Sequence, residues 1–241
     1  MNHGVRPARP HLKLTEDGRS LREVLTYARR GSRLTSPRQQ RGWEQHAEEW
    51  VIPDEAVDAE DFSFAQWFGR EAPMIVEIGG GVGEATAALA AARPSYNVLS
   101  LEVWIPGVAE SMWRVGEAGA SNVRFCSVDA VWTFEHLLAE SSLSEVWTFF
   151  PDPWHKSRHH KRRLVNAENA ALIASRLEPG GLWRLATDWA EYAEQMAEVL
   201  DAEPLLEGGR VERWAERPVT KFERKGLAKD RDIADFAYRR V

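Results

Sequence analysis

Cysteine occurs once in the 241 residues, at Cys126. No internal disulfide can form, and a cysteine-based zinc site is excluded with it. No apolar run approaches the roughly 18 residues of a membrane-spanning helix. Residues 1–14 carry no apolar core of a secretory leader. A cytoplasmic protein is the expectation from these absences. Repeats and low-complexity tracts are also missing, so solenoid and fibrous architectures fall away. An overall positive charge is missing too: the formal net charge is −6. What is present is an ordinary apolar fraction of 44%, enough for a sizeable core in one α/β domain with extensions, or at most two small domains.

The charge is unevenly placed. Residues 1–41 hold ten Arg or Lys against three acids, Glu16, Asp17 and Glu23. Residues 42–77 hold ten acids against Arg70 alone. Positive charge returns in residues 155–163, which carry Lys156, Arg158, Lys161, Arg162 and Arg163, and again toward the C-terminus. Ions screen charge beyond about 10 Å, so an acidic protein with local basic patches can still bind a polyanion. Residues 1–42 are polar and Arg-rich and read as a basic, mobile N-terminal arm. Residues 43–241 read as the folded domain.

From residue 74 the pattern becomes regular. Strands are expected over 74–78, 97–103, 122–127, 144–150, 181–187, 205–214 and 232–240. Helices are expected over 84–92, 106–116, 131–140, 164–177 and 189–200. The fourth of these helices is expected to stop at Pro179-Gly180-Gly181. Strands alternating with helices predict a doubly wound, mostly parallel sheet of seven strands. Ligands of such sheets bind outside the carboxyl ends of the strands.

The motifs fall at those ends. Glu77-Ile78-Gly79-Gly80-Gly81-Val82-Gly83 closes the first strand and opens a helix. A dinucleotide fingerprint needs a small residue where this chain has Glu84 or Thr86. A pyrophosphate would also be repelled by Glu84 at the helix start. The spacing fits the E-x-G-x-G-x-G loop of methyltransferases that use S-adenosylmethionine, a cofactor with a sulfonium and an amino group and no phosphate. Gly79, Gly81 and Gly83 would let the backbone approach it. Glu102, 19 residues past Gly83, suits the ribose hydroxyls. Asp129, followed by Ala130, suits the adenine amine. The expected fold is thus Rossmann-like, of the class I methyltransferase type.

The fourth strand runs into Phe150-Pro151-Asp152-Pro153-Trp154 and then the basic run. A carboxylate and an indole between prolines can grip a base, and the cations beside them its phosphates. Trp154 reads equally as a core indole. His155, His159 and His160 lack a carboxylate at ligand spacing and stand among five cations, so no metal is expected there.

The chain resembles the bacterial tRNA (guanine-N7)-methyltransferase family. The resemblance is carried by Arg29-Arg30-Gly31-Ser32-Arg33-Leu34-Thr35, the glycine loop, Leu101-Glu102-Val103 with Pro106-Gly107-Val108, Asn122-Val123-Arg124 and Asp129-Ala130. It continues through residues 150–163, Ala186-Thr187-Asp188-Trp189 with Tyr192, and Arg217-Pro218-Val219-Thr220-Lys221-Phe222-Glu223. It implies cofactor contacts at Glu77, Glu102, Asp129 and Asp152. It implies substrate contacts to tRNA at Lys156, Asp188, Thr220, Lys221, Phe222 and Glu223. The chain departs from the family at Gly80, usually aromatic, at Val82, usually Met, at Trp104-Ile105, usually His-Ser, and at Lys229-Asp230-Arg231, usually Leu-Gly-His.

Asp152 is the expected catalytic residue. Asp188 reads as a substrate-positioning acid or as the N-cap of the next helix. From its own residues Thr220-Lys221-Phe222-Glu223 reads as a surface turn. The reaction implied is methyl transfer to N7 of a variable-loop guanine, at position 46 of tRNA. A methyltransferase with another acceptor and a catalytically silent RNA-binding relative are the alternatives. Monomer and homodimer both remain open. Charge reversal across residues 155–163 should weaken tRNA binding and flatten its salt dependence in a filter-binding titration. Unchanged binding would refute the patch.

Overall fold

A computed structural model describes residues 25–28 and 30–241. The sheet is built as the alternation of strands and helices requires, with one more strand than expected. In chain order the elements are α1 (Pro37–Trp50), β1 (Val51–Ile52), α2 (Phe64–Phe68), β2 (Met74–Ile78), α3 (Glu84–Ala91), β3 (Asn97–Leu101), α4 (Ile105–Glu117), β4 (Val123–Cys126) and α5 (Ala130–His136). Then follow β5 (Leu143–Phe149), α6 (Ala167–Arg176), β6 (Leu177–Thr187), α7 (Ala190–Asp201), β7 (Leu206–Val211), α8 (Lys221–Leu227) and β8 (Ala234–Arg240). The strand order is β1-β4-β3-β2-β5-β6-β8-β7. Only β8 runs antiparallel to its neighbours. The eighth strand is the two-residue β1 at the edge, where Val51 and Ile52 pair with Phe125 and Cys126.

The central strands are apolar on both faces, and the period of two sorts their side chains into two cores. Ile75, Val98, Val123, Phe125 and Trp147 pack with Leu89 of α3, Met112 of α4 and Trp50 of α1. Val76, Ile78, Leu99, Leu101 and Val146 pack on the other face with Trp132, Ile173, Tyr192 and Met196 of α5, α6 and α7. The chain leaves β2 toward β3 and β4, and leaves β5 toward β6. The order therefore reverses between β2 and β5, and a crevice opens at their carboxyl ends.

Several boundaries differ from the sequence expectation. Helix α5 ends at His136, short of residue 140. Strand β6 begins at Leu177, so the chain passes from α6 into the sheet without a separate loop. Pro179 and Gly180 lie inside that strand, where the β5–β6 register jumps after the Leu143–Leu177 pair. They form an irregularity in a strand rather than a helix stop. Strand β7 ends at Val211, before Trp214.

The boundary expected at residue 42 falls inside α1. Ser36 caps this helix in a capping box with Gln39, and Pro37 opens it. Gly42 is buried where α1 crosses α4. A Cβ there would fall well inside van der Waals contact distance of the Ala109 carbonyl oxygen and 2.9 Å from the Trp113 nitrogen. The two backbones thus meet with nothing between them. Most of the arm expectation, residues 1–24 and Arg29, lies outside the described residues. Gly42→Ala should cost roughly 2–3 kcal/mol by overpacking, despite alanine's better helix propensity. Urea unfolding checks this, and a raised midpoint would contradict the close crossing.

Candidate active site

The glycine loop forms because each turn of it is either left-handed or pressed against another backbone. Gly83 has φ 78°, and a Cβ on it would collide with Ser111 of α4. A Cβ on Gly107 would meet the Gly81 carbonyl oxygen at 2.6 Å. Only glycine satisfies these positions. Glu77 ends on the α3 side of β2 and is buried, 3% exposed. Its carboxylate accepts from the Thr86 hydroxyl. Burial, with the neighbouring Glu102 charge adding to it, pushes its pKa up to about 7, against the hydrogen bond from Thr86.

Glu102 bridges two loops. One oxygen accepts the Gly81 N–H and the other the Trp104 N–H, each at 2.8 Å. Desolvation raises its pKa, opposed by these two donors and by the Arg30 charge. Asp129 caps α5 through the Trp132 N–H at 2.9 Å, and Ala130 begins that helix. One Asp129 oxygen thus has a structural use in addition to any ligand contact.

Gly80, an expected departure, is compensated locally. A Cβ at Gly80 would meet the Ser100 hydroxyl, with Glu77 Oε2 and Thr86 Oγ1 each 3.1 Å away. The polar side chains fill the room a larger residue would take. Trp104, another departure, donates its indole N–H to the Gly31 carbonyl at 3.1 Å, and the Arg30 guanidinium lies 5.4 Å from its ring. It seats the segment that precedes α1.

The loop after β5 is strained on both sides of Asp152. Phe150 has φ 54° and Trp154 φ 49°, left-handed conformations that cost bulky residues about 1–3 kcal/mol each. Packing imposes them. The Phe150 N–H donates to Ala186 O at 2.7 Å. Arg163 donates to the Pro153 carbonyl at 2.9 Å. Arg162 lies 3.5 Å over the Trp154 ring, whose N–H donates to the Thr26 carbonyl. Arg162 also donates to the carbonyls of Leu25 and Tyr27. Trp154 is therefore a half-buried brace, with one face covered by a guanidinium. Asp152 is half-buried, and its carboxylate accepts no hydrogen bond from a described residue.

The basic run divides. Lys156, Arg158 and Lys161 are exposed. Arg163, expected to meet phosphates, is 1% exposed and donates to Gln195 and Glu191 of α7 as well as to Pro153. It is an anchor of the loop, because no phosphate reaches it.

Asp188 is not a helix cap. Trp189 occupies the N-cap position of α7, and Asp188 accepts from Arg231 at 2.6 Å. It lines a groove of ≈ 690 Å³ with Thr187, Trp189 and Asp232. The Thr220 segment is helical rather than a turn. Thr220 caps α8 by accepting the Glu223 N–H, and Lys221 and Phe222 are exposed. Glu223 faces inward, 2% exposed. Arg213 and Arg217 bind its two oxygens at 2.6 Å each. Arg217, 1% exposed, also grips Asp235 at 2.9 Å and lies 5.3 Å from the Phe150 ring. Among the implied substrate residues, Lys156, Lys221 and Phe222 face outward, whereas the Glu223 carboxylate is held internally.

Glu77, Glu102, Asp129 and Asp152 thus stand at successive strand ends. The donor set fits a cationic sulfonium cofactor with a ribose diol and an amine. It does not fit a diphosphate, which the Glu84 carboxylate at the start of α3 would repel.

A family model described as "Putative methyltransferase" matches residues 71–236. A relative from Nocardioides sp., named tRNA (guanine-N(7)-)-methyltransferase, is 68% identical over 98% of this chain and 95% of its own length. One of the same name from Cutibacterium acnes is 47% identical over 91% of this chain and 84% of its own length. The chain belongs to the tRNA (guanine-N7)-methyltransferase family. The fold agrees with that of solved methyltransferases. The 16S rRNA methyltransferase KamB matches with a TM-score of 0.52 at 17% identity, over 75% of this chain and 95% of its own. An antibiotic-related methyltransferase matches with a TM-score of 0.51 at 15% identity, over 77% of this chain and 98% of its own. For this family member the residues that sequence reasoning missed are Thr86, Arg217 and the pair Glu84–Arg224. A buried arginine looks like an exposed one in a sequence, and only the family segment containing Arg217 signalled it.

The raised pKa of Glu77 has a stability consequence. The folded chain holds the Glu77 proton more tightly than the unfolded chain does. The stabilisation is complete below the ordinary value of 4.5 and is lost as pH rises through about 7. On the order of 3 kcal/mol is at stake. Glu77→Gln should flatten this slope, so urea melts at about pH 5 and about pH 8 should show the variant gaining on the native chain at the higher pH. Parallel pH profiles would contradict the buried carboxyl.

Proposed function

We propose that this chain transfers a methyl group from S-adenosylmethionine to N7 of a guanine in the variable loop of tRNA, at position 46, in the cytoplasm. The observation that carries this is the strain-fixed Asp152, set between a fan of carboxylates and an exposed basic rim. S-adenosylmethionine, when bound, supplies an electrophilic methyl on a positively charged sulfur. Glu77, with Gly79, Gly81 and Gly83, would hold its amino-acid end. Glu102 would hold the ribose hydroxyls, and Asp129 with Ala130 the adenine.

Guanine N7 carries a free lone pair at neutral pH, so no residue has to remove a proton before attack. The chain's task is orientation and charge. Asp152 is half-buried at the end of β5. It would accept from guanine N1–H or N2–H₂, or from the cofactor amine. Its negative charge would offset the positive charge that methylation places on the purine. The contacts that hold Phe150 and Trp154 in left-handed conformations fix the backbone that carries that carboxylate. Lys156, Arg158 and Lys161 would neutralise phosphates on the approach path. Asp188, held by Arg231, would position the substrate from β6. Thr220, Lys221 and Phe222 would present α8 to the nucleotide, with Glu223 fixing the helix from beneath.

Asp152→Asn should leave the circular dichroism spectrum intact. It should lower kcat by roughly 100-fold or more, by loss of a preorganised charge. Nucleoside mass spectrometry of unmodified tRNA incubated with S-adenosylmethionine measures this. Native turnover in the variant would remove Asp152 from the mechanism. No methylated nucleoside with the unsubstituted chain would point to another acceptor or to a silent RNA-binding protein.

A further inference from the structure

One side chain joins the glycine loop to the segment that begins at Thr220. Glu84 opens α3 directly after Gly83. One of its carboxylate oxygens accepts the main-chain N–H of Lys221, the first residue of α8. The other accepts from Arg224 Nη2 at 2.6 Å. Arg224 donates its other nitrogen to the Val219 carbonyl at 2.5 Å. Its guanidinium thereby closes a ring around the start of α8.

The first N–H groups of a helix have no partner within it. In α8 these groups are satisfied from two sides: Thr220 accepts the Glu223 N–H, and Glu84 accepts that of Lys221. Glu84 reaches across 137 residues of sequence to do so. It is also held from behind, because Gly83 is wedged against Ser111 of α4. Burial works to raise the Glu84 pKa, but Arg224 and the Lys221 N–H hold it below the ordinary carboxyl value. The carboxylate is thus a charged acceptor at neutral pH.

We propose that Glu84 is a positioning residue that couples the cofactor loop to the guanine-binding segment, so that a ligand in either site strengthens binding in the other. The proposal rests on the reading of those two segments given above. A ligand held by the glycine loop narrows the motion left to Glu84. A restrained Glu84 presents two acceptors to α8, and RNA then has less of α8 left to order. By linkage the same factor applies in reverse. The Arg224 side chain is 54% exposed, so the factor is modest, about three- to tenfold.

The test is a titration of labelled, unmodified tRNA into the full chain with and without S-adenosylhomocysteine, which allows no turnover. In the unsubstituted chain the ligand should tighten tRNA binding by about three- to tenfold. Glu84→Ala should bring the ratio to about one. Arg224→Gln should reduce it from the other side of the contact. Glu84→Gln keeps an acceptor for the Lys221 N–H and should retain part of it. Loss in Glu84→Ala with retention in Arg224→Gln supports the proposal and places the coupling in the Lys221 contact. Equal affinities in the unsubstituted chain, or an undiminished ratio in Glu84→Ala, would overturn it. Failure of the functional reading looks different: the unsubstituted chain would then form no 7-methylguanosine.

Discussion

The Arg217 guanidinium is shared between Glu223 of α8 and Asp235 of β8, and it lies beside the rings of Phe149 and Phe150. Helix α8, the antiparallel strand and the strained loop after β5 therefore meet on one cation. A buried charge is tolerated only when its partners are in place, and each carboxylate here would be costly without it. The arrangement supplies geometry more than net stability. It aligns the helix that carries Thr220 with the loop that carries Asp152, and it helps to hold Phe150 in a backbone conformation that bulky residues avoid. Arg163 does the same from the other end of the loop, through the Pro153 carbonyl.

Much of the sheet was legible in the sequence, because central strands are short apolar runs and the helices between them carry an apolar stripe. The eighth strand was not, since two residues carry no period. Helix α8 was hidden for a different reason. Its sequence, KFERKGL, buries only Glu223 and Gly226, so no apolar periodicity betrays it. Its inward face is ionic. Helix α1 was missed in part because composition outweighed a local signal: Ser36-Pro37-Arg38-Gln39 is a capping box in plain view. The carboxylates at the strand ends were readable from motif spacing. The braces of the loop after β5 were not, because Arg162 and Arg163 are adjacent and identical in sequence yet face different neighbours.

The site is also an electrostatic object. Burial raises both Glu77 and Glu102; the Glu102 charge adds to the first and the Asp152 charge to the second. These carboxyl groups thus crowd like charge into a buried space. A cation bound among these groups relieves that crowding, whereas an anion would add to it. The same crowding favours a sulfonium over a phosphate.

Trp154 and Arg162 hold Leu25, Thr26 and Tyr27 through main-chain carbonyl oxygens. Every amino acid offers that same oxygen. These contacts read the path of the chain and not the identity of its residues. A substitution along this stretch leaves these acceptors in place, whereas loss of the indole or the guanidinium removes the donors.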